Sequence, residues 1–360
     1  MSGPFAFLES TPPMSTIQNR RPTRGVETIT LGYLLAHQFP TREDLVAPWL
    51  RQGESAMLWA APGTGKTLLT LTLAVMVAGG GGVLGWSSPK PRKVLLVDGE
   101  MSAEDLQERA AWLIGTVDGI DRDAAAANLH ILSRNWQGPE VAFPDLGDRT
   151  GQPGKPSGQD EVIVLASRLG AELVLMDNFS TLVEVADEND AASMNATLAF
   201  LLRLKQLRIA CLLVHHSGKD GGSYRGSSKL ATTFEVIIGL RPLESVTTSA
   251  GAAFKLEWTK YRREPCEAVR SREVRLVRDK TGQPRWEAAA TMDDDMRKLL
   301  EAVESCAFGT QRAIGAHLGW DASKVSRMKM AAIKAGLMTE KVWTGCLAEA
   351  GGTADVTPDF

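Results

Sequence analysis

Cysteine is scarce in this chain. The four present, at 211, 266, 306 and 346, include no closely spaced pair. That excludes a zinc-ribbon or disulfide scaffold and suits a reducing, cytoplasmic setting. An excess of one charge is also lacking, because 40 Lys and Arg stand against 43 Asp and Glu for a net charge of −3. Such a balance excludes a basic coat for nucleic acid, so any contact with nucleic acid must be local or assembled from several subunits. There is no long apolar run. The longest, Leu68 to Leu84, is broken by threonines and glycines and falls short of a membrane span, so no membrane partner is expected. Near the start, the basic cluster Arg20, Arg21 and Arg24 follows the Phe-Ala-Phe-Leu run, the reverse of a secretory leader. Residues 1–27 are expected to form a flexible arm.

What is present is enough to build a large core. Of the 360 residues, 44% are hydrophobic, and that length predicts about two domains. Short helical pieces are expected at Leu31 to His37 and Leu45 to Arg51, then a strand at Ser55 to Trp59 and a helix over 66–78. The four glycines at 79–82 read as a loop. Strands at Lys93 to Asp98, Leu129 to Ser133, Glu172 to Met176, Ile209 to Val214 and Glu235 to Leu240 alternate with helices. That alternation predicts an α/β domain over 28–290 with a mainly parallel central sheet. Antiparallel edge strands are expected at Phe254 to Tyr261, Ser271 to Arg278 and Arg285 to Ala289. Residues 137–159, rich in proline and glycine, read as a long surface loop that is functional or mobile.

Within this frame the run Ala60-Ala61-Pro62-Gly63-Thr64-Gly65-Lys66-Thr67 carries the most chemistry. A glycine-rich turn that leaves a strand and ends in Gly-Lys-Thr at a helix start cradles the phosphates of a nucleoside triphosphate. Gly63 and Gly65 turn backbone N–H groups inward, Lys66 places a cation by the β- and γ-phosphates, and the Thr67 hydroxyl joins the Mg²⁺ shell. Ala61 to Leu68 are the expected nucleotide contacts, with ATP and Mg²⁺ as ligands. The pattern asks for glycine where Ala60 stands, and a positive φ at that position would be costly for alanine.

Further polar residues fall at the carboxyl ends of expected strands, where open α/β sheets place their ligands. Glu100 follows the second core strand and is the best placed carboxylate to polarise a water; the bland reading is a polar residue after a strand. Asp177 ends Leu173-Val174-Leu175-Met176 and has the form of the second acid that holds Mg²⁺. His215 and His216 follow Val214, and either could hydrogen-bond toward the γ-phosphate. A zinc role fails for want of ligands at the right spacing. In the loop after them, Lys219, Tyr224 and Arg225 combine cation, aromatic and glycine as single-stranded nucleic acid binders do, although a solvated hinge fits too. Lys260 and Arg262 alternate on a later strand. They either reach a neighbouring subunit's γ-phosphate as trans-acting fingers or keep a wet edge strand soluble.

The order of phosphate loop, Glu100, Asp177, His-His-Ser-Gly-Lys and Tyr-Arg-Gly-Ser-Ser resembles the RecA-like P-loop ATPases. It is most similar to the RepA hexameric helicases of broad-host-range plasmids and their phage and chromosomal relatives. The resemblance covers about residues 28–290. It implies a hexameric ring that hydrolyses ATP at subunit interfaces and moves on single-stranded DNA in plasmid, phage or mobile-element replication. It further implies Glu100 as catalytic carboxylate, Asp177 as the Mg²⁺-linked acid, His216 or His215 as sensor, and Lys260 with Arg262 as fingers. Arg225 is a second finger or a channel residue. Other readings stay open: a RecA-like accessory, loader or KaiC-like regulatory ATPase without unwinding, and a DNA-binding regulator switched by ATP.

The resemblance does not reach the C-terminal part. Over 291–341 short helices surround the turn His317-Leu318-Gly319-Trp320-Asp321, similar to a helix-turn-helix or winged-helix module. Lys324 and Arg327 are its expected DNA contacts, with packing or protein docking as the alternative. Residues 342–360 read as a disordered tail.

Overall fold

A run such as Ser55 to Ala60, buried at every position, makes a strand only in a sheet covered on both faces. Such a sheet organises the computed structural model, which describes residues 28–147, 151, 156–183, 191–217, 232–243, 251–290 and 294–352. The chain divides into two compact units, 1–42 and 43–360. In the first, helix α1 (Leu31–Ala36) is capped by the Thr30 hydroxyl and buries none of its residues. The expected arm, 1–27, lies outside the described residues.

In the second unit the elements run β1 (Asp44–Val46), β2 (Leu50–Arg51), β3 (Ser55–Ala60), α2 (Lys66–Gly79), β4 (Gly81–Val83), β5 (Trp86–Ser88), β6 (Val94–Asp98) and α3 (Ala103–Leu113). They continue with α4 (Arg122–Asn128), β7 (Leu129–Ser133), α5 (Gly158–Leu169), β8 (Leu173–Asp177), α6 (Phe179–Leu182), α7 (Ala191–Gln206), β9 (Ala210–His216) and β10 (Val236–Pro242). Strands β11 (Ala252–Tyr261), β12 (Arg272–Arg278) and β13 (Pro284–Ala290) precede four helices, α8 (Asp294–Glu304), α9 (Gln311–Leu318), α10 (Ala322–Lys334) and α11 (Glu340–Gly352). Nine strands form one sheet in the order β13-β12-β11-β10-β3-β9-β8-β6-β7. From β10 to β7 neighbours are parallel, and β11 to β13 add an antiparallel meander. This is the RecA-like α/β architecture expected from the sequence.

Alternation along β3 sorts its side chains between two apolar layers. Ala56, Leu58 and Ala60 pack with α2 and the meander, whereas Met57 and Trp59 pack with α5 and α7. Helix α2 is buried over almost its whole length, and the Trp286 indole N–H reaches its Thr72 hydroxyl at 3.0 Å. The far edge of the sheet thus wraps α2 and comes round to the phosphate loop.

Several local expectations change. Leu45 to Arg51 is a hairpin and not a helix, since Pro48 cannot sit in a helix interior and Leu45, Val46, Trp49 and Leu50 are all buried. The glycine run is the end of α2 and the start of β4, because a Cβ on Gly81 would stand 2.5 Å from the Asp118 carbonyl oxygen. The expected surface loop is anchored in part. Leu146 is buried, its N–H donates to the Leu182 carbonyl, and the Gln159 amide donates to Leu146 and Ala196. Helices α8 to α11 share their own apolar cluster around Leu299, Ile314, Val325 and Trp343. The expected tail from 342 is therefore corrected: α11 runs to Gly352 and buries Trp343. Residues 353–360 lie outside the described residues.

Candidate functional site

The turn from β3 into α2 shows why its glycines are there. Gly63 and Gly65 take φ of 76° and 106°, a region open to glycine at little cost. At Gly65 there is also no room, as a Cβ would stand 2.7 Å from that of Ala252. Ala60, by contrast, is the last residue of β3 and pairs with His216 and Leu240 on either side. It needs no positive φ, so alanine fits. The Thr64 hydroxyl donates to the Ala61 carbonyl at 2.8 Å and closes the loop.

Lys66 is 6% exposed, and its ammonium donates to the carbonyls of Ala60 and Ala61 at 3.1 and 3.0 Å. Burial lowers its pKa, opposed by the charges of Asp177 and Glu100. Asp177, at the end of β8, is 4% exposed and accepts a hydrogen bond from Thr67. Desolvation raises its pKa to about 7, against the pull of Thr67 and Lys66. Beside it, at the end of β6, Asp98 is raised by burial and held by the backbone N–H groups of Met101 and Glu100. Three carboxyl groups and one ammonium therefore meet at the carboxyl ends of adjacent strands. No two of them lie close enough to form an ion pair among the described residues.

Glu100 is oriented from two sides. The Asn178 amide donates to its carboxylate at 2.6 Å, while Asn135 donates to the carbonyls of Glu100 and Met101 at 2.9 and 3.0 Å. The two histidines separate. His216 lines the cleft beside Pro62, Lys66 and Glu100, whereas His215 is fully buried, meets the Phe179 ring edge-on at 5.2 Å and accepts from the His216 N–H. The cleft, about 930 Å³, also contains Arg109 and Trp112 of α3 and Arg278 of β12, with the Arg278 guanidinium 5.3 Å from the centre of the Trp112 ring.

The profile of the AAA_25 family, an AAA domain, matches residues 22–222, more than half of the chain. The chain belongs to this AAA domain family. No curated protein matches it in sequence. Among solved structures it is similar to the KaiC-like protein PH0186 of Pyrococcus horikoshii OT3, at 14% identity and a TM-score of 0.45 over 68% of this chain and 93% of that one. Similar values hold for the flagellar accessory protein FlaH of Methanocaldococcus jannaschii: 14% identity, TM-score 0.44, 67% of this chain and 91% of that one. At those values neither likeness carries a functional argument. Family and fold together make this AAA domain a RecA-like P-loop ATPase.

Two other residues singled out from the sequence lie away from this cleft, beyond the stretch that the AAA domain profile matches. Lys260 and Arg262 stand opposite the amino end of β10, where Ile237 pairs with Lys260, and both donate to the Thr232 carbonyl. They belong to the end of the sheet away from the phosphate loop. Lys219, Tyr224 and Arg225 lie outside the described residues. Among the described residues no group of three His, Cys, Asp or Glu side chains is set to hold a metal. No described helix is long and apolar enough to cross a membrane.

Arg109, Trp112 and Arg278 were not legible beforehand. Asp105, Glu108, Arg109 and Trp112 share one face of α3, and nothing in the sequence says that this face borders the phosphate loop. Arg278 arrives only because the meander wraps α2.

Proposed function

We propose that this chain is an ATP-hydrolysing motor that forms a ring, a hexamer by the resemblance to the RepA helicases, and acts on single-stranded DNA in the cytoplasm. One observation carries the reading. Lys66, Thr67, Glu100, Asp177 and His216 converge on one cleft, while Lys260 and Arg262 stand at the opposite end of the same sheet.

ATP enters with its phosphates on the backbone N–H groups of residues 63–68 and its base toward Trp112 and Arg278. Lys66 leaves the loop carbonyls for the phosphate oxygens, which offer its charge a better partner. Glu100, oriented by Asn178 and Asn135, takes the proton of the attacking water. His216 follows the γ-phosphate and hands its state to the segment after Ser217, where Lys219, Tyr224 and Arg225 would meet the strand. The Thr67 hydroxyl and the Asp177 carboxylate are the groups suited to Mg²⁺. That ion would neutralise charge on the phosphate oxygens. Lys260 and Arg262 would serve a neighbouring subunit, adding positive charge to that of its Lys66.

A motor predicts ATP hydrolysis stimulated by single-stranded DNA, together with strand displacement from a forked duplex. Hydrolysis without displacement, at concentrations where rings form, would favour a loader or regulatory ATPase and end the helicase reading.

A further inference from the structure

The C-terminal helices carry a second chemistry. Helix α9 ends at Gly319, whose φ of 68° turns the chain, and the Trp320 N–H donates back to the Gly315 carbonyl at 2.8 Å. Two residues after Gly319, Asp321 caps α10 by accepting from the Lys324 N–H at 2.7 Å. The helices cross closely at Gly315, where a Cβ would stand 2.9 Å from the Trp320 carbonyl oxygen. Ile314, Val325 and Ala332 are fully buried and lock the pair. Two short helices fixed by such a turn have the helix-turn-helix geometry that sets a second helix in a DNA groove.

The outward stripe of α10 decides what it would meet. Ser323, Ser326, Arg327, Met330 and Lys334 are exposed at helical spacing, and Met330 is its only exposed large apolar residue. A helix built to dock a protein would present an apolar stripe instead. Small residues at Ala322, Ser323 and Ser326 let the first two turns descend toward base edges. Residues 311–334 hold five Lys and Arg against one Asp, in a chain of net charge −3. Among the described residues the other acids of this helical unit lie on α8 and α11.

Not every cation is available. Lys324, expected to contact DNA, pairs with Asp295 at 2.7 Å and lies over the Trp320 ring. Lys329 pairs with Glu340 at 2.5 Å and lies over Trp343. Both hold α10 to its neighbours, which leaves Arg327 as the reader, flanked by the exposed Arg312 and Lys334.

We propose that α10 reads the major groove of duplex DNA, giving the chain a sequence-specific duplex site apart from its nucleotide chemistry. Arg327 takes a guanine edge through two hydrogen bonds, the serine hydroxyls take neighbouring edges, and Arg312 and Lys334 meet phosphates. The site does not rest on the ATPase reading.

Selection by the full chain from a library of duplexes with a randomised core, near physiological salt, tests it. The expected result is a short enriched motif containing guanine. Arg327→Ala should bind the selected duplex roughly ten- to a hundredfold more weakly and lose preference at one base pair. Ser323→Glu, which sets a carboxylate against the backbone phosphates, should abolish selection while thermal melting shows the fold intact. No enriched motif, or parent-like affinity in both variants, would overturn the proposal.

Discussion

The two ends of the central sheet treat charge in opposite ways. At the amino end each buried charge has a partner of opposite sign: Arg92 bridges Glu43 and Glu172 at 2.7 and 2.6 Å, Lys205 meets Glu235 at 2.5 Å, and Arg263 meets Glu54. At the carboxyl end Asp98, Asp177, Glu100 and Lys66 gather without an ion pair among the described residues, satisfied by backbone, hydroxyl and amide groups. The difference separates charge that holds the fold from charge held ready. Asp98 and Asp177 are buried there, and desolvation raises the pKa of both.

The largest effect expected from breaking this contrast is at Glu100. Glu100→Gln should lower the hydrolysis rate by about 10²- to 10⁴-fold while ATP binding survives, read by steady-state turnover beside equilibrium binding. Next comes Asp177→Asn, which should end Mg²⁺-supported hydrolysis yet stabilise the fold. The carboxyl has a pKa near 3.8 when unfolded and about 7 when folded. The folded state therefore holds the proton more tightly, so its stability falls as pH rises between those values. The variant should melt above the parent at pH 8, and the gap should shrink toward pH 4. A lower melting temperature at pH 8 would contradict the account.

At the other end of the sheet the sign reverses. Arg92→Ala should cost about 2–3 kcal/mol in denaturant unfolding, because it takes the buried guanidinium from Glu172 and Glu43 and leaves them only Gln52 and Lys90, with the KM for ATP unchanged. The smallest expected change is Asp321→Ala, which removes the cap of α10 and should destabilise the C-terminal helices by about 1 kcal/mol, visible as faster amide exchange there.

How legible each end was from sequence follows from the same contrast. The parallel strands read clearly, because a run such as Leu173 to Met176 has both faces covered and then stops at an acid. The ends of β3, β6, β8 and β9 thereby point to the phosphate loop, Glu100, Asp177 and the two histidines as candidates. Alternation on β9 separates His215 from His216, yet nothing in the sequence says which of the two faces the phosphate loop. The hairpin of β1 and β2 was misread because two apolar pairs around Pro48 resemble a helical face. Helix α11 was missed because its glycine- and alanine-rich composition hides Trp343, whose burial depends on α8. Trp112 and Arg278 are far apart in sequence and meet only through the curl of the meander.

The central claim is that the carboxyl end is half of an active site and that Arg262, at the amino end, completes a neighbour's. Mixing Lys66→Ala and Arg262→Ala subunits, each inactive alone, tests it most directly. An interface works when the loop comes from one variant and the finger from the other, so equal mixing should restore about a quarter of the parent hydrolysis if interfaces act independently. No recovery, with co-assembly demonstrated by mass, would contradict the account.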